Sequence, residues 1–429
     1  MLDIELIRSD PEFVRTALLK RVDDVDLGPV LEADALRRKL TTEVDTARSE
    51  RNRQAKEIGR LKAAGADTSE AQQQAAALGD QVTAMQAALT EAEKTLHDLL
   101  MELPNLPDDR APVGGKEANQ VVRTWGSKPD LGGKPLDHVE LCTRLGLVDY
   151  ARGAKLGGSG YWLYTGQGAA LEWALIDFFN REHYAAGYQF LLPPHMLTEE
   201  AGYAAGQFPK FHEDVYHIRE ESDGGRRSFL LPTAETAILN VYRDEILPAE
   251  MLPVKAFSYT PCYRREAGGY RTEERGTMRG HQFNKVEMFQ FTAPEDAEDA
   301  LNELVGRAQM LVEKLGLHYQ TSLLATRDAS ASMRLTYDVE VWLPSIGIYK
   351  EVSSASWAGD YQARRANIRY RPEGKGKPTA YVHTLNASGL ATSRLLPAIV
   401  EQHQQPDGSV IVPEPLRAWV GTDVLRPRR

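Results

Sequence analysis

The fold class predicted by this sequence is α+β: a mostly antiparallel sheet flanked by helices, preceded by an antiparallel two-helix coiled-coil arm. Three observations predict it. Ala71, Ala75, Leu78, Val82, Met85, Leu89, Ala92, Leu96, Leu99 and Leu103 alternate by four and three, which is a heptad seam. The stretches GYQFLLPP, KAFSYT, NKVEMFQF and ANIRYR, all beyond residue 180, have the look of strands. No β-α-β rhythm orders them, and neither a G-x-x-x-x-G-K-[ST] loop nor a dinucleotide fingerprint follows a strand, which argues against a doubly wound parallel sheet.

The elements follow in chain order. The N-terminus, MLDIELIRSDPEF, is charged and lacks an apolar signal core. No run approaches the roughly 20 apolar residues of a membrane span, so a cytoplasmic protein with no membrane partner is expected. From residue 31 to about 103 there are many alanines and glutamines, and no proline occurs until Pro104. Leu40, Val44, Ala47, Ile58 and Leu61 repeat the same alternation and are expected to face the first seam, with Arg51 and Gln54 interrupting it. Between the two runs, AAGADTSEA supplies Gly65 as a stop and Asp67 or Thr68 as a start cap. Each arm would extend about 50 Å. LPNLPDDRAPVGG is rich in proline and glycine, so the chain is expected to divide into 1–103, a linker at 104–115 and a second domain at 116–429. In that domain AALEWALIDFFNREHYAAG and DALNELVGRAQMLVEKLG read as amphipathic helices.

Composition limits the functions available. The chain has 429 residues, 42% apolar and 26% charged, as ordinary soluble domains do. Its net charge of −10 repels polyanions overall, so any nucleic-acid contact must come from a local basic patch. One exists: Arg48, Arg51, Arg53, Lys56, Arg60 and Lys62 lie together in the first arm against Glu50 and Glu57. It is either the solvated face of a mixed-charge coiled coil or a grip on an RNA backbone. Cys142 and Cys262 lie far apart and offer no zinc spacing and no disulfide framework.

The strands of the second domain are unusually charged. Side chains two apart on a strand share a face, which puts Arg264 beside Glu266 and Thr233 beside Glu235. The same rule aligns Phe283, Lys285, Glu287 and Phe289, and in YKEVSSAS it pairs Glu351 with Ser353 while Ser354 takes the other face. A sheet lined with Arg, Glu, Thr, Ser and Phe forms a floor for a small, charged ligand with a planar ring. Arginine meets phosphate, phenylalanine covers a base, and a carboxylate holds an ammonium or a metal.

At these residues the chain resembles the bacterial-type seryl-tRNA synthetases, which are class II aminoacyl-tRNA synthetases. The resemblance runs through MLDIELIRSDPEFV, the arm, LPNLP, GQFPKF, TAE, YRREAG, HQFNKVEMF, YDVEVWLPS, KEVSSAS, DYQARRANIRYR and HTLNASGLATSR, in the family's order. GYQFLLPP looks like motif 1, the element at the dimer interface. YRRE through HQFNKVE looks like motif 2, and SGLATSR like motif 3. The resemblance implies an antiparallel class II sheet, a homodimer and a helical arm that reaches a tRNA. It implies ATP-dependent activation of L-serine to seryl-adenylate and transfer to tRNA(Ser), and to tRNA(Sec) where one exists.

Carried over residue by residue, Arg264 holds the α-phosphate and Glu266 the adenine amino group. Phe283 stacks on the base, with Arg394 on its other side or against the γ-phosphate. Arg265, Val352 and Ser353 complete the ATP set, and Glu351 with Ser354 holds Mg²⁺; no zinc is implied. Arg264, Glu351 and Arg394 are the implied catalytic groups. Thr233, Ala234, Glu235, Arg264 and Glu287 take serine, with Asn386 and Ser388 at the back of the pocket. Arg271, Arg275 and Arg279 on the motif 2 loop meet the acceptor end of the tRNA. His281 and His383 are read as structural. The chain departs from the family at Ala355, Trp357, Ala387, Thr392 and Ser393, expected around the pocket rim, and a specialised or inhibitor-resistant second copy is the reading these raise.

Overall fold

The structure is a computed structural model describing residues 1–219, 227–266, 275–374 and 376–427. It divides into two compact units, Met1–Pro104 and Asn105–Arg429.

The first unit is helical. Asp3 caps α1 (Ile4–Ser9) by accepting from the Glu5 amide, and Asp10 caps α2 (Pro11–Leu19) by accepting from Phe13. The arm consists of α3 (Gly28–Ala63) and α4 (Ser69–Glu102). At 36 and 34 residues they reach the expected length of about 50 Å each. Gly65 ends α3 at φ +75°, where a side chain would be strained. Asp67 starts α4 by accepting from the Ser69 amide and hydroxyl at 3.0 and 2.7 Å. Val44, Val82, Leu89, Ala92 and Leu96 are buried along the seam. Toward its end α4 departs from the strict heptad. Leu100 and Met101 are buried while Leu99 is half-buried, so the apolar stripe broadens into a face. Near the base, Asp34 is buried and accepts from Arg8, Arg37 and Arg38 at 2.9–3.0 Å.

The second unit is built on an eight-stranded sheet. In chain order its strands are β1 (Gln120–Trp125), β2 (Gln189–Leu191), β3 (Val254–Tyr263) and β4 (Gln282–Thr292). They continue with β5 (Tyr319–Leu323), β6 (Leu335–Leu343), β7 (Ile348–Gly359) and β8 (His383–Ala391). The spatial order is β1-β5-β6-β7-β8-β4-β3-β2. Every pairing is antiparallel except β2 with β3, the motif 1 strand, which is parallel.

One face of the sheet is covered by α5 (Gln167–Ala185), α6 (Ala297–Lys314) and α7 (Thr392–Gln402). Leu171, Leu175 and Phe179 of α5, Leu301, Leu304 and Leu311 of α6, and Leu395 and Ile399 of α7 are buried there. Their sheet partners are Val286 and Met288 of β4, Val339 and Val341 of β6, and Leu385 and Ala387 of β8. Strand period two therefore decides where the polar residues go. With Val286 and Met288 in the core, Lys285 and Glu287 must take the opposite face, as must Asn386 and Ser388 between and beyond Leu385 and Ala387.

The segment read as a linker, 104–115, is tied into the second unit from Asn105 onward. The Asn105 side-chain amide donates to the Ser332 and Ala358 carbonyls at 2.8 and 2.7 Å, and Arg334 pairs with Asp108 at 3.1 Å. Prolines mark a chain without regular structure; these buried side-chain bonds are invisible to that signal.

Candidate active site

The opposite face of the sheet carries a second apolar cluster around Phe289 and Phe291 and, further along the strands, a polar cavity. A cavity of about 520 Å³ is lined by Thr233, Glu235, Arg264, Glu266, Lys285, Glu287, Glu351, Ser354, Asn386 and Ser388, among others. A smaller one of about 110 Å³ shares Arg264, Glu266, Lys285, Glu351 and Ser388 with it and adds Phe283, Val352, Ser393 and Arg394. Residues from three strands, from the segment just after β3 and from the turn before Ala234–Leu239 thus meet in one place, although they span more than 160 positions of sequence.

Register explains the convergence. Glu287 on β4 lies opposite Ser388 on β8, and Asn386 on β8 opposite Ser356 on β7. One expectation is corrected here. Simple alternation pairs Glu351 with Ser353 and turns Ser354 away, yet Glu351 and Ser354 both line the large cavity. The register against β6 shifts between Glu351 and Ser353, because Val352 is bulged. Ser353 is fully buried instead, its hydroxyl donating to the Ser388 carbonyl at 2.6 Å. The bulge puts a carboxylate and a hydroxyl three residues apart on the same surface.

The charged groups form connected pairs. The Arg264 guanidinium donates to the Pro232 carbonyl at 3.2 Å and lies 5.2 Å from the Phe283 ring centre, so its stem and ring are mutually fixed. Arg394 donates to the Glu351 carbonyl at 3.0 Å and pairs with its carboxylate at 3.1 Å. Burial alone would raise the Glu351 carboxyl, but Arg394, with Arg264 and Lys285 beyond it, holds it below the usual range. Beside it, burial and then the Glu351 charge push the Asp338 carboxyl well up, against a hydrogen bond from Ser354. Asp338 Oδ1 is buried without a partner among the described residues.

Glu266 has φ +49° and pairs with Arg279 at 2.5 Å. Arg275 pairs with Asp137 at 3.2 Å. Two of the three expected loop arginines are therefore engaged with acids of the chain itself; Arg271 lies outside the described residues. Arg265 is exposed and its guanidinium donates to the Glu213 carbonyl at 3.2 Å.

The other end of the large cavity is a carboxylate pocket. Thr233 caps the helix Ala234–Leu239, and its hydroxyl accepts from the Glu235 amide at 3.4 Å. Ala234 is fully buried beneath it. The Glu235 carboxylate accepts from Gln362 at 2.6 Å, and Gln362 in turn accepts from Thr384 at 2.6 Å, which fixes the amide's orientation. Burial, then the negative charge of Glu287, push Glu235 up to about 7. Lys285 donates to Thr233 at 2.7 Å and forms an ion pair with Glu287.

Sequence reasoning placed Lys285 on this face without giving it a role, and it missed Gln362 and Asp338 altogether. Lys285 was readable, since it sits two residues before Glu287. Gln362 and Asp338 had no local signal, because their relevance comes only from what the fold packs beside them. The histidines are structural in place: His281 bonds the Arg264 carbonyl at 3.1 Å, and His383 accepts from Trp357 at 3.3 Å. The expected rim location of the unusual residues is corrected for most of them. Ala355, Ala387 and Trp357 face the helix-covered core, and Thr392 is buried with its hydroxyl on Glu172 at 2.5 Å. Only Ser393 lines a cavity. Strand alternation is the reason: Ser354, Ser356, Asn386 and Ser388 occupy the cavity side.

Comparison with known proteins decides the family. Residues 1–107 match the seryl-tRNA synthetase N-terminal domain, and residues 216–403 match the class II tRNA synthetase core domain of the G, H, P, S and T types. The chain is 52% identical to serine–tRNA ligase 2 of Clostridium acetobutylicum, over 99% of this chain and all of that one. The chain belongs to the seryl-tRNA synthetases. It is also 42% identical to the serine–tRNA ligase of Desulfitobacterium hafniense, again over 99% of this chain and all of that one. Among solved structures, the seryl-tRNA synthetase of Pyrococcus horikoshii complexed with ATP matches with a TM-score of 0.90 at 32% identity, covering both chains fully. The serine–tRNA ligase of Naegleria fowleri in complex with AMP matches at 0.86 and 26%, over all of this chain and 99% of that one. The class II synthetase fold, with its antiparallel sheet and paired N-terminal helices, is the one the sequence predicts.

Proposed function

We propose that the protein activates L-serine with ATP and transfers the seryl group to tRNA(Ser). The observation that carries this reading is the joint cavity. A carboxylate pocket for an ammonium and a hydroxyl opens directly onto an arginine-lined, phenylalanine-floored surface suited to a nucleotide. Full-length similarity to serine–tRNA ligases names the amino acid.

In this reading no protein nucleophile is needed. The serine carboxylate oxygen attacks the α-phosphorus, the bond to the bridging oxygen breaks, and pyrophosphate leaves. Arg264 steadies the α-phosphate and Arg394 the departing end; alignment and charge compensation supply the rate. Phe283 floors the adenine, and Glu266 accepts from its amino group once Arg279 yields it. Glu351 and Ser354, with the unpartnered Asp338 oxygen beside them, form an oxygen-only donor set that fits Mg²⁺. That ion would neutralise phosphate charge as it develops. Glu235 and Glu287 hold the ammonium and hydroxyl of serine. Alanine then leaves a buried acceptor unpaired and is refused strongly, while threonine must be refused by size.

Arg48, Arg51, Arg53, Lys56 and Arg60 are all exposed on α3 and form the basic face we assign to the tRNA backbone. Phe190, Leu192 and Met196, exposed on and after the motif 1 strand, fit burial in a homodimer. No helix among the described residues is long and apolar enough to cross a membrane, in keeping with a cytoplasmic enzyme. Of the departures, Ser393 lines a cavity, and with the similarity to a serine–tRNA ligase 2 it supports the reading of a second, specialised copy; tRNA(Sec) is a further acceptor where present. Ordinary inhibition by non-hydrolysable seryl-adenylate mimics would remove the specialised-copy reading. Charging of total bacterial tRNA with serine, threonine, alanine and cysteine tests the assignment. Serine alone should be incorporated at full rate, and a preference for any other acid overturns it.

A further inference from the structure

The amino-acid pocket contains a cation that the activation chemistry above does not use. Lys285 is buried at 7% exposure. Its ammonium touches Thr233 and Glu287, two of the side chains assigned to serine. Glu235 feels both neighbours, raised by Glu287 and lowered by Lys285. Lys285 is therefore the cation paired with Glu287, while the Glu235 carboxyl is held by the Gln362 amide.

Lys285 also stands on a boundary. It lines both the large cavity and the small one, together with Arg264 and Glu351, at the place where the carboxylate of a bound amino acid would meet the α-phosphate. A lysine head on a four-carbon stem can turn between neighbouring partners, which a rigid guanidinium fork does less readily.

We propose that Lys285 stands in for the substrate ammonium in the empty pocket and is displaced by it, then turns to the incoming carboxylate. The inference rests on the reading of this pocket as the serine site. Its logic is conservation of ion pairs. A buried carboxylate left without a cation is strongly unfavourable, so the empty pocket keeps its own. An amino acid brings both signs: its ammonium replaces Lys285 on Glu287, and its carboxylate receives the released lysine. An amine without a carboxylate releases Lys285 with nothing to meet, and binds poorly. Lys285 is thus a specificity residue for the whole zwitterion, where Glu235 and Glu287 read only its ammonium and hydroxyl.

The test compares L-serine with 2-aminoethanol, which keeps the ammonium and hydroxyl and lacks the carboxylate. Calorimetric titration of the wild type, Lys285→Met and Lys285→Gln with each compound gives two affinities per protein. Removing the cation should move them in opposite directions. Serine weakens by about tenfold or more, and 2-aminoethanol tightens by about tenfold. Weakening of both compounds, the mark of a structural residue, overturns the proposal, and so does an unchanged ratio between them. Lys285→Gln keeps a donor for Thr233 without the charge and must show the same opposite signs, so it decides the matter if Lys285→Met does not fold. Absence of serine-dependent pyrophosphate exchange in the wild type would instead remove the parent reading of the pocket.

Discussion

Glu235 and Glu287 show how one fold can ask two carboxylates for different behaviour. Glu235 is held up near 7 by burial first and by its neighbour's charge second. Below that pH the empty pocket carries its proton, and an incoming ammonium must expel it. The sign follows. Serine affinity should rise with pH up to about 7 and then level off, losing close to tenfold for each unit below. Calorimetry in buffers of different ionisation enthalpy should show proton release on serine binding at pH 6.5. Glu235→Gln should flatten this limb while weakening serine binding at least about tenfold. Gln362→Leu removes the donor that steadies the ionised Glu235, so the limb should move to higher pH. At this scale the sequence was informative wherever a residue belongs to a contiguous motif. Arg264, Glu266, Thr233 and Glu287 all lie where the charged strands put them. It was silent on Gln362 and Asp338, whose partners are 127 and 16 positions away in the chain.

Strands and helices follow from period, and they fail to follow where period breaks. The seam of α3 and α4 was legible over most of its length because each buried position repeats by three and four. Leu89 sits in that seam, and Leu89→Ala should lower stability by about 2–4 kcal/mol, read as a shift in the chemical denaturation midpoint followed by circular dichroism. The Val352 bulge was not legible. Nothing local distinguishes it from its neighbours, and only the register against β6 reveals it. On the arm, Arg53 and Arg60 form exposed pairs with Glu50 and Glu57, which stabilise the helix little and leave both arginines available to phosphate. Arg51→Glu combined with Lys56→Glu should raise the KM for tRNA at least about tenfold, with pyrophosphate exchange unchanged. Equal loss in both assays would place these residues in folding.

On the scale of the whole chain, the proposed function assigns the chemistry to one unit and the grip on tRNA to the other. The adenylate cavity lies wholly within Asn105–Arg429. That unit alone should retain serine-dependent exchange and lose most of its charging of tRNA. The net charge of −10 makes the tRNA contact local, so charging should fall steeply with salt while exchange changes little. The fold class was legible from period and from the missing phosphate-loop motifs. The division between the two units falls after Pro104, where the long helical pattern ends. That the following segment is bonded into the second unit was not legible, because those bonds run to residues more than 220 positions away.

The most direct measurement is exchange of labelled pyrophosphate into ATP, driven by serine, in the wild type and in Arg264→Ala, Glu287→Ala, Glu351→Ala and Arg394→Ala. These four side chains come from separate segments and do one job only if they share a cavity. Robust exchange in the wild type, with each variant reduced about a hundredfold or more yet folded, is the expected result. A wild type without exchange, or variants that keep full rate, would contradict it.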